Sequence, residues 1–348
     1  MKKIAFTGGG SAGHVVPNIA LMDDLLKTGG FETCYFGSNG MEKELICARN
    51  IPYFQTECPK LIRSKSLSAL RKNIKIPFLL HRAVSQVKKT LKKEKPDLVF
   101  SKGGFVSLPV VLAARRLKIP CFTHESDYSA GLANRLIAKK CNAVFTSFPE
   151  TATTFKNGIF TGAPMRKELF EKDKLSAKIR FGFPISKPTI LVVGGGQGSE
   201  FLNKSVRNAL PKLKDFSVLH LCGKGNVEKS TLENYRQFEY LEDIGEAYAA
   251  ADVVVSRAGA GAIFEILALK KPALFVPLEN ASRGDQIENA KYFEDKGLCA
   301  VLRESQIQDL PQAIREVYTN ETLKRALKKC NFDCGNDRIL SHLKTFLQ

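Results

Sequence analysis

Residues 6–20 read FTGGGSAGHVVPNIA, a glycine-rich turn closed by a histidine. Glycines 8, 9, 10 and 13 tolerate positive φ and let the backbone approach a ligand closely. A helix opening after such a turn offers unpaired N–H groups and the positive end of its dipole to an anion. His14 lies at that helix start. Imidazole titrates near neutral pH, so His14 is a candidate general base; the competing reading is a histidine that caps the turn.

The spacing Gly8-x-Gly10-x-x-Gly13 also satisfies the dinucleotide pattern. An NAD site needs an acid about twenty residues on, at the end of the second strand. Here that strand, TCYFGS, ends in Gly37-Ser38, and Glu32 stands before it. Nicotinamide chemistry is disfavoured and stays as the alternative from another class.

Three later segments carry complementary chemistry. GGGQGSEFLN (194–203) is a second strand-to-helix turn suited to an anion, or a tight connection only. In SRAGAGAIFEILAL (256–269), Gly259 and Gly261 bring a helix start near a ligand. Glu265, one turn in, can accept two ribose hydroxyls or mark a polar stripe. In LENASRGDQIENA (278–290), Arg283, Asp285 and Gln286 offer hydrogen bonds to a sugar, with a surface loop as the rival reading. There is no Asp-x-Asp, so no metal is indicated; a leaving diphosphate must be stabilised by backbone dipoles and arginine. The nine cysteines are odd in number and scattered, and Cys330-x-x-x-Cys334 has no second pair, which favours free thiols over zinc.

Positioning these groups falls to alternating strands and helices. Strands are expected at Lys3–Thr7, Thr33–Gly37, Asp97–Ser101, Pro120–His124, Ala143–Ser147 and Gly158–Thr161. A second series covers Thr189–Val193, Ser217–Leu221, Phe238–Leu241, Asp252–Ser256, Ala273–Val276 and Cys299–Leu302. Runs such as ILVV and DVVV are apolar on both faces, as in a covered parallel sheet. KIAFTGGG matches TILVVGGG, and DLVFSKGG matches DVVVSRAG. This internal similarity predicts two Rossmann-like α/β domains, 1–162 and 163–348, meeting at Thr161–Pro164 and facing each other across a cleft. The last helix, about 331–348, is expected to pack back on the first domain.

The net charge of +18 is uneven: residues 1–163 carry 25 Lys and Arg against 11 Asp and Glu, residues 164–348 carry 28 against 24. Between 60 and 95 there are 12 basic residues and one acid, Glu94. Within it Ile74, Lys75, Ile76, Phe78, Leu79 and Arg82 interleave apolar and cationic side chains. That favours an interfacial element on anionic lipid over a core helix with a solvated face. No aromatic interleaving or known module points to nucleic acid. No apolar run approaches the ~18 residues of a spanning helix, and Met1-Lys2-Lys3 leads into glycine rather than a signal core; the chain is expected to stay in the cytoplasm.

GGGSAGH, SKGGFVSLP, HESDYSAGLANR, TGAPMR, VVGGGQGS, SRAGAGAIFE and SRGDQIENA, collinear from about residue 3 to 300, resemble the MurG family of bacterial UDP-GlcNAc:lipid I N-acetylglucosaminyltransferases. The resemblance implies a GT-B fold. It also implies inverting, metal-independent transfer of GlcNAc from UDP-GlcNAc to the MurNAc C4 hydroxyl of lipid I, giving lipid II for peptidoglycan. Other enzymes of this fold, a glycolipid synthase or a UDP-GlcNAc epimerase, are the nearer alternatives. The implied place is the cytoplasmic face of the membrane, on its anionic leaflet, with cell-wall synthesis and division proteins as further partners and no cofactor. Ser11, Ala12 and Gly13 would then line the cleft, with His14 as base. Asp127, where many members have Asn, would face the sugar, and Arg166 the donor diphosphate. Gly196 and Gln197 belong to the donor loop; Gly196 replaces a common serine and loses its hydroxyl while keeping an N–H. Leu241 and Ala260, Gly261, Ala262, Ile263 and Phe264 would contact uracil, Glu265 the ribose and Gln286 the GlcNAc hydroxyls. Ser11-Ala12 replaces the commoner Thr-Gly.

Overall fold

The computed structural model describes residues 1–59, 73–279, 283–332 and 334–348. The chain forms two compact units, Met1–Met165 with Gly335–Gln348, and Arg166–Cys334.

The first unit is a seven-stranded sheet in the order β3-β2-β1-β4-β5-β6-β7. Its strands are β1 (Lys2–Thr7), β2 (Phe31–Gly37), β3 (Tyr53–Gln55), β4 (Leu98–Ser101), β5 (Cys121–Glu125), β6 (Ala143–Thr146) and β7 (Gly158–Phe160). Every pairing is parallel. Alternate residues of a strand face opposite ways. Ile4 and Phe6 therefore join one apolar layer with Phe100 and Phe145, while Ala5 joins the other with Cys34, Val99 and Cys121. β3 escapes the sequence reading because three residues, YFQ, give too short an alternation to register.

The second unit repeats the plan with six parallel strands in the order β10-β9-β8-β11-β12-β13. They are β8 (Thr189–Val193), β9 (Ser217–Leu221), β10 (Tyr235–Phe238), β11 (Val253–Ser256), β12 (Ala273–Phe275) and β13 (Ala300–Val301). β10 lies three residues before the expected Phe238–Leu241. Its register is set by pairing with β9, which places Tyr235 beside Val218.

In each sheet the strand order reverses between the first strand and its neighbour, β1 with β4 and β8 with β11. Such switch points leave a crevice beyond the strands' carboxyl ends. The helices that follow those strands matter most here: α1 (Ala12–Lys27) after β1, α2 (Ser107–Arg116) after β4, α3 (Glu200–Ala209) after β8 and α4 (Ala260–Ala268) after β11.

The chain leaves the first unit after Met165 and returns at Gly335. The final helix, α5 (Asn336–Leu347), places Ile339, Leu340, Leu343 and Leu347 in the layer that holds Ile4 and Phe6. Asn336 ties its start down. The buried amide donates to Asp24 Oδ2 at 2.8 Å and the Met165 carbonyl at 2.9 Å, and its oxygen accepts from Met165 N–H at 3.0 Å. Removing a buried partner of this kind costs about 1–3 kcal/mol per orphaned group. Asn336→Ala is expected to lower unfolding stability by at least that much, read from urea denaturation; a midpoint unchanged from wild type would show the lock to be dispensable.

Candidate active site

In the first unit, Thr7 ends β1 and Ser101 ends β4, side by side in register. Ser11 stands extended before α1 with no capping bond from its side chain, and Ala12, Gly13 and His14 form the first turn. The helix therefore opens at Ala12, two residues before His14. Pro17 lies inside it and brings no N–H to the carbonyl of Gly13.

His14 is half-buried. Its Nδ1 lies 3.1 Å from the carbonyl oxygen of Lys102, the residue following β4. A carbonyl only accepts, so Nδ1 carries the proton and the basic lone pair falls on Nε2. The next turn makes room for the ring. Gly104 has φ +81°, and a Cβ there would sit 2.7 Å from the Gly9 carbonyl oxygen and 3.1 Å from His14 Cδ2.

Lys102 itself is missed by the sequence reading. Its side chain runs inward, 1 % exposed, and the ammonium donates to the Ser126 hydroxyl. Burial pushes its pKa down to about 8, against the pull of Glu125 and Asp127. Glu125, also missed and also buried, accepts from the N–H groups of Asp127 at 3.0 Å and Gly131 at 2.8 Å, and from Asn134 Nδ2 at 2.9 Å. This carboxylate shapes the loop that carries Asp127. The available signal was a lysine and a glutamate at the carboxyl ends of otherwise apolar strands. His124, beside Glu125, is fully buried and donates from Nε2 to the Gly162 carbonyl. Burial, aided by Lys102, holds it well below the usual imidazole range, so it stays neutral.

In the second unit, Gly194–Ser199 turns from β8 into α3. Gly195 and Gly198 have φ +92° and +78°, and Gly198 N–H closes onto the Gly195 carbonyl at 3.0 Å. A Cβ on Gly198 would lie 2.0 Å from the Cys222 carbonyl oxygen, so only glycine fits. Gly196 and Gln197 are exposed at the tip.

Ala260 to Phe264 form the opening turns of α4, and Glu265 follows, buried. The sequence reading gives Glu265 and Arg166 separate tasks. The structure joins them: Arg166 Nη2 lies 3.0 and 3.1 Å from the two carboxylate oxygens, and Nε lies 3.3 Å from Oε1. Burial raises the Glu265 carboxyl and Arg166 counters it. A ribose at Glu265 must share an anion whose fork is already engaged.

Gln286, in the helix Asp285–Glu294, accepts through Oε1 from Ala258 N–H at 3.2 Å and Leu278 N–H at 3.0 Å. It ties two loop ends together through that oxygen. Leu241 lies half-buried in the turn after β10. Arg283 and Asp285 sit at the start of the helix that carries Gln286, whereas Asn280, Ala281 and Ser282 lie outside the described residues, as do residues 60–72 of the basic stretch.

The helix Ile76–Glu94 turns Ala83, Val84, Val87 and Leu91 into the core. Its opening does the opposite: Phe78 is 73 % exposed, Ile74, just before it, is 70 % exposed, and Leu79, Lys75 and Arg82 are exposed beside them, with Ile76 half-covered. Among the described residues no helix is long and apolar enough to cross a membrane. Among the same residues no grouping of three or more His, Cys, Asp and Glu is placed to hold a metal ion.

Two parallel α/β units with glycine turns at both switch points are the build of a GT-B glycosyltransferase, and comparison with known proteins agrees. Residues 4–146 match the glycosyltransferase family 28 N-terminal domain and residues 189–341 the family 28 C-terminal domain. The chain is 44 % identical to the UDP-N-acetylglucosamine--N-acetylmuramyl-(pentapeptide) pyrophosphoryl-undecaprenol N-acetylglucosamine transferase of Clostridium botulinum strain Langeland, over 99 % of both chains. It is 43 % identical to the protein of that name from Clostridium perfringens strain SM101, over 98 % of both. The crystal structure of Acinetobacter baumannii MurG superposes with a TM-score of 0.72 at 26 % identity, covering 99 % of this chain and 100 % of that one. The chain belongs to the MurG family of glycosyltransferases.

Gly104→Ala combines a left-handed φ with a backbone collision, each an identified route to destabilisation. Transfer activity is expected to fall by at least ten-fold with a lowered melting temperature; a fully active, equally stable variant would show that the His14 ring does not need this space.

Proposed function

We propose that this chain transfers GlcNAc from UDP-GlcNAc to the MurNAc C4 hydroxyl of undecaprenyl-pyrophosphoryl-MurNAc-pentapeptide, with inversion and without a metal. The observation that carries the reading is its end-to-end likeness to transferases bearing that name. The site chemistry supports it.

The acceptor hydroxyl is a weak nucleophile until its proton is taken as it attacks. His14 is the group for that: the Lys102 carbonyl fixes the tautomer, so Nε2 can receive the proton. As the new bond forms at the sugar's anomeric carbon, the bond to the diphosphate breaks through an oxocarbenium-like state. The electron pair leaves with UDP. Backbone N–H groups at Gly194–Gly198 and the start of α3 stabilise that developing charge with dipoles already in place. Glu265, held by Arg166, accepts ribose hydroxyls. Ala260–Phe264 and Leu241 bound the uracil, and Gln286 donates to the sugar. Ser11, Ala12 and Gly13 line the acceptor side with Asp127.

The exposed Ile74, Phe78 and Leu79, with Lys75 and Arg82, form the surface that rests on an anionic leaflet. Apolar residues enter the headgroup layer and cations pair with lipid phosphates. This surface supports a peripheral station on the cytoplasmic face of the membrane, beside the lipid-linked acceptor, with cell-wall synthesis and division proteins as further partners.

The direct test is transfer of labelled GlcNAc to lipid I. Product is expected with lipid I and not with diacylglycerol; the reverse pattern would make the chain a glycolipid synthase. In the same assay His14→Ala should lower kcat by about 10²-fold, the scale of a lost general base. Normal turnover would remove His14 from that role. Replacing Ile74 and Phe78 together by serine should reduce sedimentation with phosphatidylglycerol vesicles while sparing transfer to a water-soluble lipid I analogue. Undiminished vesicle binding would overturn the assignment of this face.

A further inference from the structure

We infer that Ser199 is a further donor-binding residue, whose hydroxyl, set by the buried Arg257, donates to the diphosphate of the nucleotide sugar. The inference rests on the proposed donor site and adds a residue to it.

Arg257 follows β11 directly and is 6 % exposed. Its backbone N–H donates to the Val193 carbonyl at 3.2 Å, so it stands where β8 and β11 end side by side. The guanidinium then spreads over the donor half. Nη1 donates to the carbonyls of Val276 at 3.1 Å and Pro277 at 3.3 Å and to Glu304 Oε1 at 2.7 Å. Nε and Nη2 both donate to Ser199 Oγ, at 3.0 and 2.9 Å. The ring of Phe201 covers the charge, 5.5 Å from the guanidinium carbon.

Ser199 is the last residue of the glycine turn and the cap of α3, where its oxygen also accepts from Leu202 N–H at 3.4 Å. A hydroxyl has two lone pairs and one proton. Here the lone pairs are engaged by Arg257 and Leu202, and no acceptor for the proton stands among the described residues. Ser199 can therefore offer an incoming group only a donor, which selects an acceptor such as a phosphate oxygen. A hydroxyl accepting from a guanidinium is polarised and donates more strongly. Glu304 balances the arginine's charge, so its effect on the ligand passes through the serine.

This also answers the loss at Gly196. The loop that lacks a hydroxyl at its tip carries one three residues later, held from behind by an arginine. Arg257 is accordingly a positioning residue and Ser199 the contact.

The test compares UDP, by titration calorimetry, with uridine, by ligand-observed NMR, on the full chain. Ser199→Ala is expected to weaken UDP about ten-fold or more, the scale of a hydrogen bond to a charged group, and to leave uridine unchanged. Ser199→Thr should restore UDP binding. Ser199→Asp is an equally good helix cap but has no proton to give; it should keep the melting temperature and lose UDP. Equal UDP affinity in wild type and Ser199→Ala, or parallel loss of UDP and uridine, would overturn the role of Ser199 alone. A wild-type chain that binds uridine but no tighter with UDP would overturn the diphosphate site at this turn. One that binds neither would overturn the donor reading as a whole.

Discussion

One hydrogen bond, from His14 Nδ1 to the Lys102 carbonyl, organises the switch point of the first unit. It joins the residues beyond β1 to those beyond β4, the two strands between which the sheet order reverses. The bond decides which ring nitrogen is basic. It also demands that two backbone turns pass close together, which is why Gly104 packs against the His14 ring with no room for a side chain. Lys102 can lend its carbonyl because its backbone is itself fixed, its N–H donating to the Thr7 carbonyl at 2.8 Å. Its buried ammonium, Ser126 and the Glu125 carboxylate then hold the following loop. A cation and a carboxylate taken out of water need such partners to be tolerable.

The second unit solves a related problem with the opposite charge in view. Its turn beyond β8 is glycine where it meets Cys222 and serine where it enters the helix. On the proposed reading a leaving diphosphate would meet fixed dipoles rather than mobile side chains, and such dipoles need no reorganisation during reaction. The buried arginine is spent on structure: it reaches Ser199, Val276, Pro277 and Glu304 at once. Arg166 is similarly committed to Glu265. In both units, then, the ligand would meet groups already oriented by a partner behind them.

Much of this was legible beforehand. Runs such as ILVV and the VVV of DVVV are apolar on both faces because both faces of a parallel strand are covered, and their shortness and β-branched residues favour strands over helices. The glycine turns were legible for the same local reason, since positive φ is cheap only for glycine. β3 and the true start of β10 were not, because three or four residues carry little periodicity and their register is set by a neighbouring strand. Glu125, Lys102 and Arg257 were hidden differently. Each is a charge inside or just after an apolar run, and nothing local distinguishes a buried, partnered charge from a solvated one.

The sequence alone determined the class of this protein: two α/β units, their glycine turns, and the ordered motifs that place it among the MurG-type transferases. Those features depend on neighbours within a few residues, where propensity and spacing are decisive. Tertiary structure decided the rest. Only packing brings Lys102 to His14 across 88 positions, Arg166 to Glu265 across 99, and Arg257 to Ser199 across 58. Hydrogen-bond partners, tautomer and burial are properties of such distant pairs, and no short stretch of chain contains them.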